Sequence, residues 1–416
     1  MLGQRLKELR LEKKLTQKDL AEGLVNRSYL SQIEKGTVNP SYDVLDELSK
    51  RLGCDINDFY KSSENRDLLL ADIKKEIRLA ERGALEDNLS KINKLVNSRD
   101  YLNEEFLTDF DKGILNWIHG KYFELKGDYT HSIPFFLKSL EYIEDKREYC
   151  SERVRSYDSL GNAYGKIGKN DIALTKLYEG YKLILTTNVN ETTQISLLSN
   201  LGVLHGRLKE YYSAINFLEE TQDLNKQLRL FYKAGDIAMA LGICYMEIGR
   251  LEDAKNSYEQ AIQFYKFEGA SQSEAKVYTN YGILNMYQKN YYHAQLLLKS
   301  AIKLYDDSQE INIMNTHVEL AKSYLHQNNR DLAIKHCKLV KTMKDENRFK
   351  AQATEILGDV YSEVNIKEAV KFYLEAGRYF KTSDHEHFKK IMFKIGNAYF
   401  EQNDYKVAAD YYRKSN

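Results

Sequence analysis

The side chains that most often perform catalysis or bind metals are scattered through this sequence. Of its nine histidines, only His385 and His387 lie close together. Two histidines around one glutamate can bind a metal ion, but no further ligands stand nearby, so a solvated turn is the favoured interpretation. The sequence contains no glycine-rich phosphate loop, no HExxH motif and no GxSxG motif. It predicts no catalytic residue, no metal site and no cofactor, and we expect the chain not to be an enzyme.

The cysteines and the hydropathy pattern indicate the compartment. Cys54, Cys150, Cys244 and Cys337 are far apart and form no CxxC pair. This spacing favours buried thiols in a reducing compartment over a disulfide framework. The N-terminus lacks the apolar run of a signal peptide, and no window approaches the roughly 18 apolar residues of a membrane helix. We therefore expect a cytoplasmic protein that does not contact a membrane.

The composition indicates a helical chain with more than one domain. Its 416 residues are too many for one compact core. The 61 basic and 61 acidic residues cancel, which argues against a chain that is basic throughout but leaves a local nucleic-acid site open. Pro40 and Pro134 are the only prolines, and proline is the strongest helix breaker. The sequence therefore predicts an all-α protein.

The first sixty residues predict five short helices. Thr16 and Asp19 have the spacing of a capping box at the start of the second helix, which should run to about residue 24. Ser28 is the expected cap of the third helix, which should span residues 29–35 and end at Gly36. Ser41 is the expected cap of the fourth helix, and residues 56–60 form the fifth. Two short helices joined by a tight turn predict a helix-turn-helix unit.

The segment 3–60 resembles the lambda-repressor-like (Cro/XRE) DNA-binding domain. The resemblance rests on residues that stand where that family has them. They are Leu20-Ala21, Ser31, Ile33-Glu34, Gly36, Pro40, Leu45 and Leu52-Gly53.

This resemblance implies contacts with double-stranded operator DNA. In that family the second helix of the pair enters the major groove, so its first residues would meet base edges, while flanking residues would hold phosphates. Arginine can pair with guanine and glutamine with adenine. The turn is one residue shorter than in the phage-repressor pattern, which leaves the register of base contacts open by one position. The implied DNA-binding residues are Gln17, Arg27, Ser28, Tyr29, Ser31, Gln32, Lys35 and Asn39.

The rest of the chain is built from repeats of near-40 residues. The clearest copy has Gly242, Tyr245, Ala254, Tyr258 and Ala261. This is the tetratricopeptide (TPR) pattern, in which small residues stand where paired helices approach and aromatic residues fill the gaps. It predicts a right-handed superhelical array with a concave surface. Residues 66–110 fit a degenerate ninth copy. The small residue of the first helix recurs at Gly120, Gly161, Gly202, Gly242, Gly282, Ala321, Gly358 and Gly396.

A Cro/XRE-type domain followed at once by about eight TPR-like repeats resembles the RRNPP family of peptide-responsive quorum-sensing regulators. The resemblance implies that a short signalling peptide binds in the concave groove of the repeats. It also implies that the peptide controls a homodimer or higher homo-oligomer and its affinity for DNA. Two alternatives stay open. One is a protein-interaction regulator that binds or inhibits a response regulator of the sporulation phosphorelay type. The other is a phage lysis–lysogeny switch of similar build.

Polar residues on the first helix of several repeats are candidates for peptide binding. An asparagine carboxamide can donate to and accept from an extended peptide backbone. Basic residues can meet a peptide carboxylate, and an aspartate can meet a basic residue. The alternative for each residue is an exposed helix position without a ligand. The candidates are Arg155, Asn162, Lys166, Asn200, Arg207, Asp236, Lys276, Asn280 and Asn315.

The expected domain organisation follows from these patterns. We predict a DNA-binding domain over 1–60, a polar linker over 61–67 and a repeat domain over 68–416. The short linker would let the DNA-binding domain change its orientation relative to the repeats. The last repeat has no polar capping helix after it, so we expect it to pack against a partner subunit.

Overall fold

The computed structural model describes residues 2–60, 63–98 and 107–415. Every regular element within these ranges is helical, so the predicted all-α class is confirmed. Within the same ranges, no helix is long and apolar enough to cross a membrane. Tight contacts divide the chain into two compact units, Met1–Leu204 and His205–Asn416.

The N-terminal segment forms four α-helices and a 3-10 helix. Its core is apolar and includes Leu6, Leu20, Leu30, Ile33 and Leu48, each almost fully buried. These residues recur at helical spacing, so each helix turns one apolar face inward. The elements are α1 (Leu2–Glu12), α2 (Gln17–Ala21), α3 (Arg27–Glu34), α4 (Tyr42–Leu52) and a 3-10 helix (Ile56–Tyr60).

The ends of α2 and α3 differ from the sequence prediction. Thr16 and Asp19 form the expected capping box, but α2 ends at Ala21, because Glu22 has extended torsions and Gly23 has a φ of 71°. The prediction that Ser28 caps α3 is wrong. Asn26 is the cap, since its side-chain carbonyl accepts a 2.7 Å hydrogen bond from the amide of Tyr29. The third helix therefore begins at Arg27, two residues earlier than predicted.

The remaining helices follow one another in antiparallel order and account for the predicted repeats. In the first unit they are α5 (Ser63–Leu85), α6 (Leu89–Ser98), α7 (Asp109–Leu125), α8 (Tyr129–Tyr142), α9 (Cys150–Lys166) and α10 (Asn170–Thr186). Helix α11 (Glu191–Arg207) crosses the boundary between the two units.

The second unit contains α12 (Tyr211–Leu228), α13 (Ala234–Glu247), α14 (Leu251–Glu268), α15 (Ser271–Tyr287), α16 (Tyr291–Leu304), α17 (Glu310–His326), α18 (Arg330–Thr342), α19 (Arg348–Tyr361), α20 (Ile366–Ser383), α21 (His385–Glu401) and α22 (Tyr405–Ser415).

A glycine in the first helix of a pair lies against a large side chain of the second helix. A Cβ atom added at Gly242 would lie 2.5 Å from a ring carbon of Tyr258, a residue that is fully buried. Only glycine allows this approach, so the predicted meaning of the small residue is confirmed. The same arrangement recurs at Gly120 and Phe136, Gly161 and Leu177, Gly282 and Leu298, Gly358 and Tyr373, and Gly396 and Tyr412.

The predicted linker is partly helical. Residues 61 and 62 lie outside the described residues, and residues 63–67 form the start of α5.

All four cysteines are free. Cys150, Cys244 and Cys337 are buried, as expected for structural thiols. Burial raises the pKa of the Cys244 thiol to about 11, so this thiol stays protonated at neutral pH.

Candidate functional site

A buried ion pair positions helix α3. The guanidinium of Arg10 on α1 donates from Nε to Glu34 Oε1 at 2.6 Å and from Nη2 to Glu34 Oε2 at 3.0 Å. A third donor, Arg10 Nη1, reaches the carbonyl of Leu15 at 2.8 Å. Burial favours a higher pKa for Glu34, but the hydrogen bonds from Arg10 and Gln17 outweigh it and hold that pKa below its usual value. The last turn of α3 is thereby tied to α1.

Helix α2 is held at both ends. At its N-terminus Thr16 and Asp19 exchange the two capping-box hydrogen bonds, and the Thr16 hydroxyl lowers the pKa of Asp19. At its C-terminus Arg51 from α4 donates to the carbonyls of Leu20 and Glu22. A cation at this end also interacts favourably with the helix dipole. The two helices of the helix-turn-helix unit are therefore fixed by side chains from both α1 and α4.

The predicted DNA-binding residues lie mainly on one surface around α3. Arg27, Ser28 and Gln32 are exposed on α3, and Tyr29 and Ser31 are half-buried there. Lys35 and Asn39 are exposed beyond its C-terminus.

Gln17 has a different environment from the other predicted DNA-binding residues. It is half-buried, and its Nε2 donates to Glu34 Oε2 at 2.8 Å. Its amide therefore supports the ion pair under α3 instead of pointing freely to solvent.

Two cations that were not predicted from the sequence, Lys14 and Lys18, also border this surface. An open cleft of about 570 Å³ is lined by Lys14, Lys18 and Arg27, together with Gln17 and Arg10. Lys14 and Lys18 are exposed. A cleft with exposed lysines beside a helix N-terminus is suited to a phosphate. In the sequence, Lys14 and Lys18 stand on either side of the start of α2. Their position beside Arg27 becomes apparent only when α2 and α3 are placed next to each other.

A network of polar side chains joins the first helices of neighbouring repeats in the first unit. On α9 Asp158 accepts a hydrogen bond from Ser196 at 2.6 Å and another from Asn200 Nδ2 at 2.7 Å, both from α11. Asp158 is 7% exposed. The predicted peptide residue Asn200 therefore has its amide donor engaged by Asp158, and its carbonyl oxygen is left as the acceptor.

The network continues from α9 to α7 and α5. Asn162 Nδ2 donates to Glu124 Oε1 at 2.7 Å, and Glu124 also lies 3.1 Å from Lys121. Arg155 donates to Glu81 at 2.7 Å, and its guanidinium carbon lies 3.9 Å from the centre of the Trp117 ring. These contacts join α5, α7 and α9, and Asp158 joins α9 to α11. We call the side chains that take part the first-helix network. Its members are Glu81, Trp117, Lys121, Glu124, Arg155, Asp158, Asn162, Ser196 and Asn200.

The first-helix network contains three carboxylates, Glu81, Glu124 and Asp158, and two cations, Lys121 and Arg155. Lys121 lies 3.0 Å from Asp87, and although burial alone would lower its pKa, Glu124 and Asp87 raise it. Arg155 already pairs with Glu81, and its buried Nε has no acceptor among the described residues. Lys166, the other predicted cation of this unit, is exposed at the end of α9. The acidic members of the network were not selected from the sequence, because their partners lie 38 to 74 residues away.

The remaining predicted peptide residues lie in the second unit. Asp236 on α13 accepts a 2.5 Å hydrogen bond from the hydroxyl of Tyr265, and burial together with Asp236 raises the pKa of that hydroxyl. Arg207 is exposed. Lys276, Asn280 and Asn315 are half-buried on the first helices α15 and α17.

A second cluster of charged side chains joins α19 and α21. Lys394 lies 2.7 Å from both Glu355 and Asp359, and His387 lies 2.7 Å from Glu355. Burial favours a higher pKa for Glu355, but Lys394 and His387 outweigh it and lower that pKa. The histidine that the sequence offered as a metal ligand is thus part of an ion-pair cluster.

Family models match both parts of the chain. Residues 6–59 match a helix-turn-helix family, and residues 232–266 and 391–415 match two tetratricopeptide-repeat families. The immunity repressor protein of Bacillus phage phi105 is 44% identical over 57 residues, which are 14% of this chain and 40% of that repressor.

Other matches cover most of the chain. The transcriptional activator NprA of Geobacillus stearothermophilus is 21% identical over 316 residues, which are 74% of each protein. The apo form of the quorum sensor NprR from B. thuringiensis has the same fold, with a TM-score of 0.66 at 16% identity over 83% of this chain and 98% of that chain. The predicted resemblance to quorum-sensing regulators is therefore confirmed at the level of the fold. NprR in complex with its cognate peptide NprX gives a TM-score of 0.50 at 11% identity, over 82% of this chain and 88% of that chain.

These matches bear on the predicted type of protein. The matched domain family is a helix-turn-helix family, and the relative that spans three quarters of the chain is a transcriptional activator. Both agree with the prediction that the chain is not an enzyme. The residues that would bind DNA or peptide stay a prediction, as do the domain boundaries.

Proposed function

We propose that the chain is a cytoplasmic transcriptional regulator whose DNA binding is controlled by a short signalling peptide. The observation that carries the proposal is the exposed first turn of α3, fixed from below by Arg10 and Glu34, in a chain that continues as TPR-like repeats. One helix-turn-helix module buries too little surface for tight specific binding, so the DNA-bound form is a homodimer or a higher homo-oligomer.

Helix α3 supplies the base contacts in this proposal. Arg27 pairs with guanine and Gln32 with adenine, because these side chains have the matching pairs of donors and acceptors. Lys14, Lys18 and Lys35 hold phosphates on either side. Gln17 acts through Glu34, since its amide donates to that carboxylate.

Fluorescence anisotropy with operator DNA tests this step. Arg27→Ala should weaken operator binding by about fivefold or more and relax specificity at one base pair, since a bidentate base contact contributes about 1–3 kcal/mol. Lys18→Ala should weaken binding to all sequences and reduce the slope of log K against log salt by about 0.9. Lys289→Ala, an exposed lysine of the second unit, is the control. Unchanged operator affinity in Arg27→Ala would contradict the role of α3.

The peptide binds across the first helices of the repeats. In the first-helix network Asn162 and Asn200 donate to carboxylates, so their carbonyl oxygens are oriented to accept from the amides of an extended peptide. The net negative charge of the network suits a peptide with a free amino group or a basic side chain. That NprR forms a complex with a cognate peptide supports a peptide as the ligand of this chain.

Calorimetric titration tests the peptide step. The purified chain is titrated with synthetic C-terminal fragments of any small secreted peptide encoded directly downstream, and operator binding is measured with and without each fragment. Micromolar binding that changes operator affinity supports the proposal, and Asn162→Ala should weaken it at least tenfold. Asn256→Ala, on the exposed face of α14, is the control. If no fragment binds, peptide control is wrong, and a pull-down with response regulators then tests the protein-interaction alternative.

A phage lysis–lysogeny switch is the second candidate. The 44% identity to the phi105 immunity repressor over the helix-turn-helix segment favours it. Both candidates use α3 in the same way and differ in the operator that they occupy. Mapping of the occupied sites by footprinting separates them, because a phage switch binds beside prophage immunity genes.

A further inference from the structure

The second unit contains an apolar pocket that none of the predicted DNA or peptide residues lines. It lies between α12, α14 and the first turn of α13, and has a volume of about 400 Å³. This volume falls within the range of about 300–1,000 Å³ of ligand pockets. The side chains that matter for its chemistry are Asn225, Phe231, Ile237, Gln260 and Phe264.

One buried acceptor in this pocket has no donor. Asn225 is 5% exposed, and its Nδ2 donates to the carbonyl of Tyr232 at 2.9 Å. That hydrogen bond fixes the carboxamide, and its Oδ1 is buried without a hydrogen bond from any described residue. A buried acceptor without a donor costs about 1–3 kcal/mol. A ligand that brings an N–H group into the pocket would remove this cost.

The walls of the pocket are aromatic, and the apolar surface continues outside it. The rings of Phe231 and Phe264 have centroids 6.0 Å apart. Phe231 is 66% exposed, Phe267 on the next turn of α14 is 88% exposed, and Leu228 is 38% exposed. Adjoining exposed side chains of this size mark an interaction surface. A small molecule inside the pocket would leave Phe267 and Leu228 uncovered, whereas a protein segment would cover them.

The charged groups at the rim are mainly basic. Lys226 lies 3.2 Å from Asp223, and Lys233 lies over the ring of Tyr232. Arg229 is exposed and forms no ion pair within the described part of the chain. The two charged residues that line the pocket, Lys226 and Arg229, are both cations, so a segment with acidic residues is complementary to this rim.

We propose that this pocket binds a tryptophan side chain of an acidic protein segment. The indole matches the site because its Nε1–H is a donor with no acceptor, so it satisfies Asn225 Oδ1 and buries no unpaired polar atom. Its ring packs against Phe231 and Phe264, and the flanking carboxylates meet Arg229 and Lys226. No residue that lines the pocket belongs to the first-helix network or to α3, so this site is independent of the proposed function.

Three capped pentapeptides test the recognition by calorimetry on the full chain. EEWEE should bind at one site with a Kd on the order of 0.1 mM, the affinity expected for a ligand of which one indole and two carboxylates are recognised. EEFEE lacks the ring donor and KKWKK reverses the charge, so each should bind at least tenfold more weakly. Equal binding of EEFEE and EEWEE would overturn the role of Asn225. Tighter binding of N-acetyltryptophan than of EEWEE would overturn the assignment to a protein segment.

Two variants locate the site. Phe231→Ala removes a largely exposed wall and should weaken EEWEE binding at least tenfold. Tyr292→Ala, a 71% exposed aromatic of the same unit, is its control and should leave binding unchanged. Arg229 has a φ of 54°, so Arg229→Gly removes the rim cation and fits the backbone, and should weaken binding about threefold to tenfold. Lys289→Gly, at a φ of 61° in another turn, is the matched control. Wild-type affinity in both Phe231→Ala and Arg229→Gly would show that the pocket is not the site.

Discussion

Arg10 and Glu34 form a buried, bidentate ion pair that connects α1 to the C-terminal end of α3, the helix proposed to contact DNA bases. Their side chains are 8% and 2% exposed, so neither charge can be solvated if its partner is removed. Removing one partner of a buried pair costs about 3–5 kcal/mol, whereas replacing both by apolar residues can be neutral.

We therefore expect Arg10→Met to destabilise the helix-turn-helix segment by about 3 kcal/mol or more. Hydrogen exchange of the α3 amides should accelerate, and operator affinity should fall with it. The double variant Arg10→Met with Glu34→Leu should recover most of the protection. Lys50→Ala, which removes an exposed partner of Asp46, serves as the control and should change stability by less than about 1 kcal/mol. Equal effects of Lys50→Ala and Arg10→Met would contradict this interpretation.

The lowered pKa of Glu34 predicts how this segment responds to acid. Because the folded-state pKa lies below the ordinary value of 4.5, the carboxylate contributes stability that is complete above pH 4.5 and is lost as pH falls through the folded-state pKa. Protection of the α3 amides should therefore decline below about pH 4.5. Glu34→Gln should be less stable at neutral pH and should lack this part of the decline. A parallel decline in both proteins would mean that another group is responsible.

The cap of α3 predicts different effects for two adjacent polar residues. Asn26→Ala removes the hydrogen bond to the Tyr29 amide and should cost about 1 kcal/mol of local stability. Ser28→Ala lies inside the helix and should change stability by less than about 0.5 kcal/mol. Exchange of the Tyr29 and Leu30 amides measures both. A larger effect of Ser28→Ala would restore the cap that the sequence suggested.

The comparison of Asn26 with Ser28 shows where local sequence signals are ambiguous. Thr16 and Asp19 have a reciprocal pattern three residues apart, so the start of α2 was predictable from the sequence. Asn26 and Ser28 are both residues that commonly cap helices, and they stand two positions apart. Which of them caps α3 depends on where the turn that follows Gly23 ends. The repeats were predictable for a different reason. A glycine of the first helix and a large residue of the second, such as Gly242 and Tyr258, recur at a nearly constant spacing, which is set by contacts inside one helix pair.

The candidate sites depend on contacts that no local pattern contains. Arg155 was selected as a free cation, yet it pairs with Glu81, which is 74 residues earlier. Gln17 was selected as a phosphate ligand, yet its amide donates to Glu34. Both partners lie on other helices, so their pairing requires the relative placement of helices. The sequence could identify which helix faces are polar, and only the structure shows which of those groups already have partners.

Asp158 offers a test of the first-helix network that does not require a ligand. Asp158→Asn replaces one acceptor oxygen by an amide donor, so the side chain can no longer accept from both Ser196 and Asn200. We expect a loss of about 1–3 kcal/mol and faster exchange of amides in α9 and α11. Asp171→Asn, in the first turn of α10, is the control. If Asp158→Asn is as stable as the wild type, the network does not order these helices.

Two facing imidazoles predict acid sensitivity in the second unit. His317 Nδ1 and His336 Nδ1 lie 2.8 Å apart, so one ring must be neutral to accept from the other. Burial, with His317 and the nearby Lys335 and Lys299, lowers the pKa of His336 to about 4. Since the unfolded pKa is near 6.5, the neutral pair contributes stability that is complete above pH 6.5 and declines as pH falls towards 4.

The midpoint of thermal unfolding measured between pH 7 and pH 4.5 should therefore fall as His336 is forced to take up a proton. His336→Phe keeps an aromatic ring on Tyr324, which stacks on the histidine with centroids 5.5 Å apart, and removes the titrating group. It should cost less than about 1.5 kcal/mol at pH 7 and should flatten the acid decline. His131→Phe, at an exposed histidine of α8, is the control and should keep the full decline. An identical pH dependence in His336→Phe and the wild type would show that the imidazole pair does not set the acid sensitivity of this unit.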